Sequence, residues 1–310
     1  MTFNYGPSTG ISSSQSPYIL PVAPGVKLTS VLTVNDSIGG YPMVGIPDGL
    51  GAFDNGDNTF TLLMNHELTG TVGIPRAHGK AGAFVSKWII NKSNLSVMSG
   101  ADLMQKVCLW DILTNSFKQD TTTFSRFCSA DLPPVSAFYN STSGLGTQER
   151  IFMNGEENGM EGRAVGHIAT GVNSGTSYQL PYLGKFAWEN SVASPTAGDK
   201  TVVAGMDDGP GGQVYFYVGT KTNAGTEIDK AGLNNGKLFG ISVAGMTKED
   251  TLGVPVAGTR FSLVDLGTVQ NTKGAALDLD QHCRRCYYFP STRRWCLGSI
   301  QSEGFLLQYN

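Results

Sequence analysis

The stretch VVAGMDDGPGGQVYFYVG, residues 202–219, consists of two runs of β-branched and aromatic residues joined by a turn of Asp, Gly and Pro. The runs suit a pleated, buried surface, and the residues between them supply the backbone freedom and local hydrogen bonds of a hairpin turn. The same grammar recurs in NTFTLLM (58–64), GAFVSKWII (82–90), ERIFMN (149–154), YLGKFAW (182–188), KTVVAGM (200–206), GKLFGISV (236–243) and RFSLVDLG (260–267). No long segment sustains a 3.6-residue apolar period, so the pattern predicts an all-β chain built as a sandwich, barrel or propeller. SGADLMQKV (99–107) reads as a short helix.

Composition agrees. Forty glycines and only 15% charged residues in 310 are the balance of a turn-rich β protein. The formal charge is −3, but residues 281–310 carry four Arg against one Glu, which leaves an excess of six negative charges on residues 1–280. Mild acidity of that kind argues against a nucleic-acid partner and suits cation binding. No apolar run reaches the length of about 18 residues that a membrane span needs. The opening MTFNYGPSTGISSSQSPYILP has neither a basic start nor an apolar segment, so it does not read as a secretory signal. Three parts are expected: a Ser, Gly and Pro-rich lead-in over 1–45, a β domain over 46–280, and a tail over 281–310 of different composition.

Several motifs fail on inspection. His66-Glu67 is not followed by a second His four residues on, which a zinc-protease helix requires. GLNNGKL (232–238) is one residue short of a phosphate-binding loop and lacks its Ser or Thr. His66, His78 and His167 have no nucleophile in a recognisable turn to serve. In the tail, His282, Cys283, Cys286 and Cys296 have the spacing of a small zinc site, though nothing upstream prepares for one.

The polar ends of the strands are more informative. NTFTLLM runs into Asn65, His66 and Glu67, ERIFMN runs into Gly155, Glu156, Glu157 and Asn158, and Asp207 with Asp208 sits in the turn of the opening hairpin. In a propeller, strand ends of one face converge on the central channel, where carboxylates can meet around a cation. The alternative for Asp207 and Asp208 is ordinary turn chemistry.

Taken in order, FTLLMNHEL (60–68), FSRFCSADLP (124–133), FMNGEEN (152–158), YLGKFAWEN (182–190) and the opening hairpin resemble the PhoX-type alkaline phosphatases and their uncharacterised relatives. The resemblance implies an all-β, β-propeller-like fold, incomplete at the C-terminus, with Ca2+ and Fe3+ clustered at one mouth of the channel. It further implies a monomer that hydrolyses phosphate monoesters outside the cytoplasm, in the periplasm or the medium. Hard oxygen ligands suit calcium, whereas ferric iron accepts carboxylates and a thiolate. Carried over, the resemblance makes Cys128 the iron thiolate and Glu189 an iron-centre carboxylate, with Glu67, Glu156, Glu157 and Asp207 or Asp208 as calcium candidates. His66 would support the site from behind, and His167 reads as a satisfied core histidine. Lys185 and Trp188 stand where the family has Arg and His, so Lys185 becomes the candidate phosphate-handling cation, with Arg163 as a second that could equally form a structural ion pair. Two rivals are a non-catalytic, calcium-stabilised propeller that binds or displays a partner, and a diesterase or lactonase on the same scaffold.

The family also has an Arg-Pro-Glu-Asp stretch, supplying a second iron-centre Glu and an Arg that faces the substrate phosphate, and this sequence contains none. It is expected just past GAALD (275–279), where the composition changes. Read one nucleotide later, synonymous codons for Ser291 to Trp295 can spell Arg-Pro-Glu-Asp-Gly. The expectation is therefore that residues 281–310 are an out-of-frame tail, that the cysteines there are incidental, and that the chain as written is impaired in turnover.

Overall fold

The computed structural model describes residues 6–209, 212–244 and 258–270. Fifteen strands form three main sheets, and none of the sheets closes on itself. Sheet one is an antiparallel meander of β1 (Pro47–Asp54), β2 (Thr59–His66), β3 (Phe84–Asn91) and β4 (Val97–Asp102). Sheet two contains β5 (Lys106–Asp111), β6 (Ser116–Asp120), β7 (Phe127–Asp131), β8 (Ile151–Glu156), β9 (Ala164–Ile168) and β10 (Thr176–Gln179), in the order β6-β5-β10-β9-β8-β7. Only β5 and β10 pair in parallel within it. Sheet three is a second meander, β11 (Trp188–Ala193), β12 (Lys200–Asp207), β13 (Val214–Thr220), β14 (Lys237–Val243) and β15 (Phe261–Gly267).

The sheets pack face on face in chain order, as propeller blades do. Leu63 of β2 and Phe152 of β8 share one core with Phe84, Phe127 and Val165, between sheets one and two. Ile151 and Met153 turn the opposite way, into a core with Trp188, Val203, Tyr215 and Tyr217 between sheets two and three. Met64, next to Leu63, joins Trp88, Ile90, Val97 and Met43 in a third core, which the lead-in covers with Val31, Leu32, Val34, Ile38 and Tyr41. The inner strands β8, β9 and β10 of sheet two are thus buried along their whole length, whereas the outer β4 and β6 are largely exposed.

Glycines permit the close approach between sheets two and three. A Cβ at Gly155 of β8 would lie 2.3 Å from Cβ of Trp188 on β11, and one at Gly205 would lie 2.7 Å from the same indole. Phe186 stacks on that ring at 3.9 Å.

The helix expected over 99–107 is absent; this segment ends β4 and begins β5. Its Leu103 and Met104 are fully buried in the core between sheets one and two, and Gly100 lies under Trp88, so tertiary packing overrides local propensity. The α-helix among the described residues, α1 (Glu227–Lys230), lies elsewhere and is a single turn held by a reciprocal cap between Thr226 and Asp229. No helix among the described residues is long and apolar enough to cross a membrane. The candidate zinc residues of the tail, the out-of-frame stretch and the GAALD segment lie outside the described residues.

Candidate metal centre

Three strands from three sheets each carry one extra residue opposite their neighbour. On β1 the register slips between Pro47 and Leu50, on β7 between Phe127 and Ala130, and on β11 between Trp188 and Asn190. These bulges contain Asp48, Cys128 and Glu189. A bulge bends its strand and re-aims a side chain that regular pleating would send elsewhere. Gly49 makes the first of them feasible, because a Cβ there would sit 2.3 Å from the backbone nitrogen of Ala130 on β7.

The donors converge. Asp48, Glu67 and Cys128 form one group whose ligand atoms all lie within 4.8 Å of one another, and Cys128, Glu157 and Glu189 form a second. The thiol is common to both. Glu67 follows the last residue of β2, with its N–H donating to the Ile46 carbonyl at 2.9 Å, while Glu157 follows β8 and donates to the Arg126 carbonyl at 2.9 Å. Arg126 bridges the two groups: Nη2 donates to Glu67 Oε1 at 2.7 Å and to Glu157 Oε2 at 2.6 Å, and Nε donates to Glu67 at 2.9 Å.

Such crowding is electrostatically costly without a further cation. Desolvation, with the like charges of Glu67 and Glu157, pushes Asp48 up to about 6 despite its hydrogen bond from Cys128. Desolvation likewise raises Glu157 and Glu189, with Asp208 adding repulsion to both. The Cys128 thiol is pushed far up by burial and by Asp48 and Glu189. A bound metal would neutralise charge that burial and mutual repulsion make costly here.

The bulge on β7 is fastened from behind by buried polar side chains. Asn65 Nδ2 donates to the carbonyls of Cys128 at 2.7 Å and Ser129 at 3.3 Å. Asn154 Nδ2 donates to Asn65 Oδ1 at 2.8 Å, which leaves Asn154 Oδ1 to accept from His167 Nε2 at 3.0 Å. His167 is then the neutral tautomer protonated on Nε2, with Nδ1 accepting from Ser177 at 2.7 Å. Complete burial, with His78 nearby, drops its pKa to about 3. His66 is also neutral: burial lowers it to about 4, its Nδ1 donates to the Val44 carbonyl at 3.0 Å, and Nε2 accepts from Ser86 at 2.9 Å.

The other sequence candidates sit beside the cluster. Glu156, 2% exposed, is held by Arg163 through Nε at 2.5 Å and Nη2 at 3.0 Å, and by the Ser125 N–H at 3.0 Å. Arg163 and Lys185 line one cleft of about 420 Å³ with Thr123, Ser125 and Asn158, where Lys185 Nζ lies 3.6 Å from Glu161. Asp207 accepts from the Gly209 N–H at 2.9 Å, the hydrogen bond of a turn, and desolvation raises its pKa. Asp208 contributes to the cluster through its charge on Glu157 and Glu189.

Sequence reasoning did not find Asp48 or Arg126. Asp48 lies in IPDGLG, which reads as a turn, and its partner Cys128 is 80 residues away. Arg126 was visible in FSRFCSADLP, two residues before the thiol, but spacing alone gave it no acidic partners.

No protein-family model and no curated protein matches the sequence. Among solved structures, the chain is similar to Pseudomonas fluorescens PhoX in complex with vanadate, a transition state analogue, at 11% identity and a TM-score of 0.45. The match covers 73% of this chain and 50% of that one, so the chain spans about half the length of the structure it matches.

Proposed function

We propose that the chain is a calcium- and iron-dependent phosphomonoesterase of the PhoX type, working outside the cytoplasm. The observation that carries this reading is the Cys128 thiol shared by two groups of carboxylates delivered from three sheets. Its support is the order of the sequence motifs together with the donor chemistry: a thiolate with carboxylates fits ferric iron, and the carboxylate oxygens beside it fit calcium. Cys128 and Glu189 would hold the iron, and Glu67, Glu157 and Asp48 the calcium, with Asp208 supplying charge nearby. When bound, such ions neutralise phosphate oxygens and lower the pKa of a coordinated water.

The chain's own groups would orient the ester. Lys185, 3.6 Å from the exposed Glu161, would meet a phosphate entering the cleft it shares with Ser125 and Asn158. Arg163, engaged by Glu156 and by the Thr123 carbonyl at 2.9 Å, would act as a fixed wall of that cleft, and Glu156 as its anchor. By the resemblance, an Arg-Pro-Glu-Asp stretch would add one carboxylate to the iron and an Arg to the phosphate.

The test is hydrolysis of p-nitrophenyl phosphate with Ca2+ and Fe3+ supplied, alongside metal analysis, on this chain and on one with the alternative reading frame restored. Iron and calcium content with turnover that rises in the frame-restored chain supports the enzyme. A second reading, a calcium-stabilised binding propeller, is favoured by the ion pairing of both Arg163 and Lys185. Calcium binding with no turnover in either chain would select it.

A further inference from the structure

We propose, resting on the metal-centre reading above, that Arg126 is the resident counter-ion of the acidic cluster and competes with calcium for Glu67 and Glu157. Among the described residues, Arg126 is the basic side chain that bonds these donors, and its three hydrogen bonds occupy Oε1 of Glu67 and Oε2 of Glu157. Each of those carboxylates supplies one member of the two donor groups. A guanidinium in bidentate and bridging contact uses the same lone pairs a metal would use, and it repels any cation that approaches.

The geometry lets the side chain leave while the backbone stays. The Arg126 N–H donates to the Leu68 carbonyl at 2.9 Å and its carbonyl accepts from Glu157 at 2.9 Å, so the main chain is tied to the residue after Glu67 and to Glu157 itself. Its φ of 53° lies in the left-handed region, which a residue with a Cβ occupies only when its surroundings impose it. By contrast the side chain is 36% exposed, over glutamates that are 16% and 12% exposed. The guanidinium covers the cluster from the solvent side and can swing away without unpacking a core. Filling the cluster with calcium and withdrawing Arg126 are then one coupled event, and bound calcium and docked Arg126 oppose each other by the same factor.

The measurement is calorimetric titration of the metal-free protein with Ca2+ alone, for wild type, Arg126→Gln and Arg126→Lys. Arg126→Gln should bind Ca2+ about tenfold more tightly than wild type, and Arg126→Lys, which restores the charge, should return most of that difference. Thermal unfolding of metal-free Arg126→Gln should occur below wild type, with the order reversed in saturating Ca2+. If wild type binds Ca2+ and Arg126→Gln binds equally or more weakly, Arg126 is a structural strut and the inference is overturned while the metal centre stands. If neither wild type nor the variants bind Ca2+, the metal-centre reading falls and the inference with it.

Discussion

Nδ2 of Asn65 donates to the carbonyl oxygen of Cys128 at 2.7 Å, so the strand that carries the thiol is fastened by a side chain from a different sheet. Asn65 is fully buried and also accepts from Asn154, so its loss strands the Cys128 and Ser129 carbonyls and the Asn154 amide. Asn65→Ala should cost about 1–3 kcal/mol, the range for buried polar groups left unpaired. Chemical denaturation reads that loss, and iron content should fall in the same variant because the bulge is no longer held.

Gly155→Ala should destabilise by a comparable route with a different signature. The added Cβ would meet Trp188 at 2.3 Å, and Trp188 is fixed by Phe186 and the glycine at 205. Overpacking of this kind costs about 1–3 kcal/mol. Because Glu189 follows Trp188 directly, the variant should also weaken metal binding in titrations done well below its unfolding midpoint, whereas a purely global defect would leave affinity unchanged.

Asp131 gives a pH-dependent prediction. It is 4% exposed, its Oδ2 accepts from the Ala193 N–H at 2.8 Å, and desolvation raises its pKa to about 6. The folded state thus holds this proton more tightly than the unfolded chain, and Asp131 costs stability as pH climbs from about 4 to 6, with the full cost present above that. Asp131→Asn keeps the acceptor and removes the charge. It should match wild type near pH 4 and exceed it by about 1–3 kcal/mol at pH 8, a difference read from denaturation curves at the two pH values.

The raised thiol pKa makes Cys128 a poor nucleophile while the protein is metal-free. Iodoacetamide at pH 8 should modify it far more slowly than free glutathione, as followed by peptide mass spectrometry. On the proposed ligand assignment, Cys128→Ser should abolish iron binding and retain Ca2+ binding, as read by metal analysis of protein supplied with both ions.

Much of the fold is legible in the chain. NTFTLLM and GQVYFYVG become the central β2 and β13, because their β-branched and aromatic residues have nowhere to go but a sheet. The segment at 99–107 misleads because Leu103 and Met104 belong to a core whose other half is contributed by Phe127 and Phe152. At the site, Cys128, Glu67, Glu157 and Glu189 could be singled out through the ordered motifs, and the structure brings their donor atoms together. Asp48 could not, since a Pro-Asp-Gly reads locally as a turn and the packing of β1 against β7 of the next sheet is what brings it to the thiol. The contrast between Glu156 and Glu157 was equally hidden: Glu156 ends β8 and Glu157 follows it, and one meets Arg163 and the other Arg126.

The three bulged strands place the donors by parity. Each added residue switches which face of its sheet the following side chains use, and in each case the switch falls at Asp48, Cys128 or Glu189. Removing Ser129 would mend the ladder between β7 and β8 and leave every donor residue in the sequence, yet it would turn odd positions into even ones beside the thiol. What keeps this centre assembled is therefore a count of residues, and a single-codon deletion that improves the sheet would take the site apart.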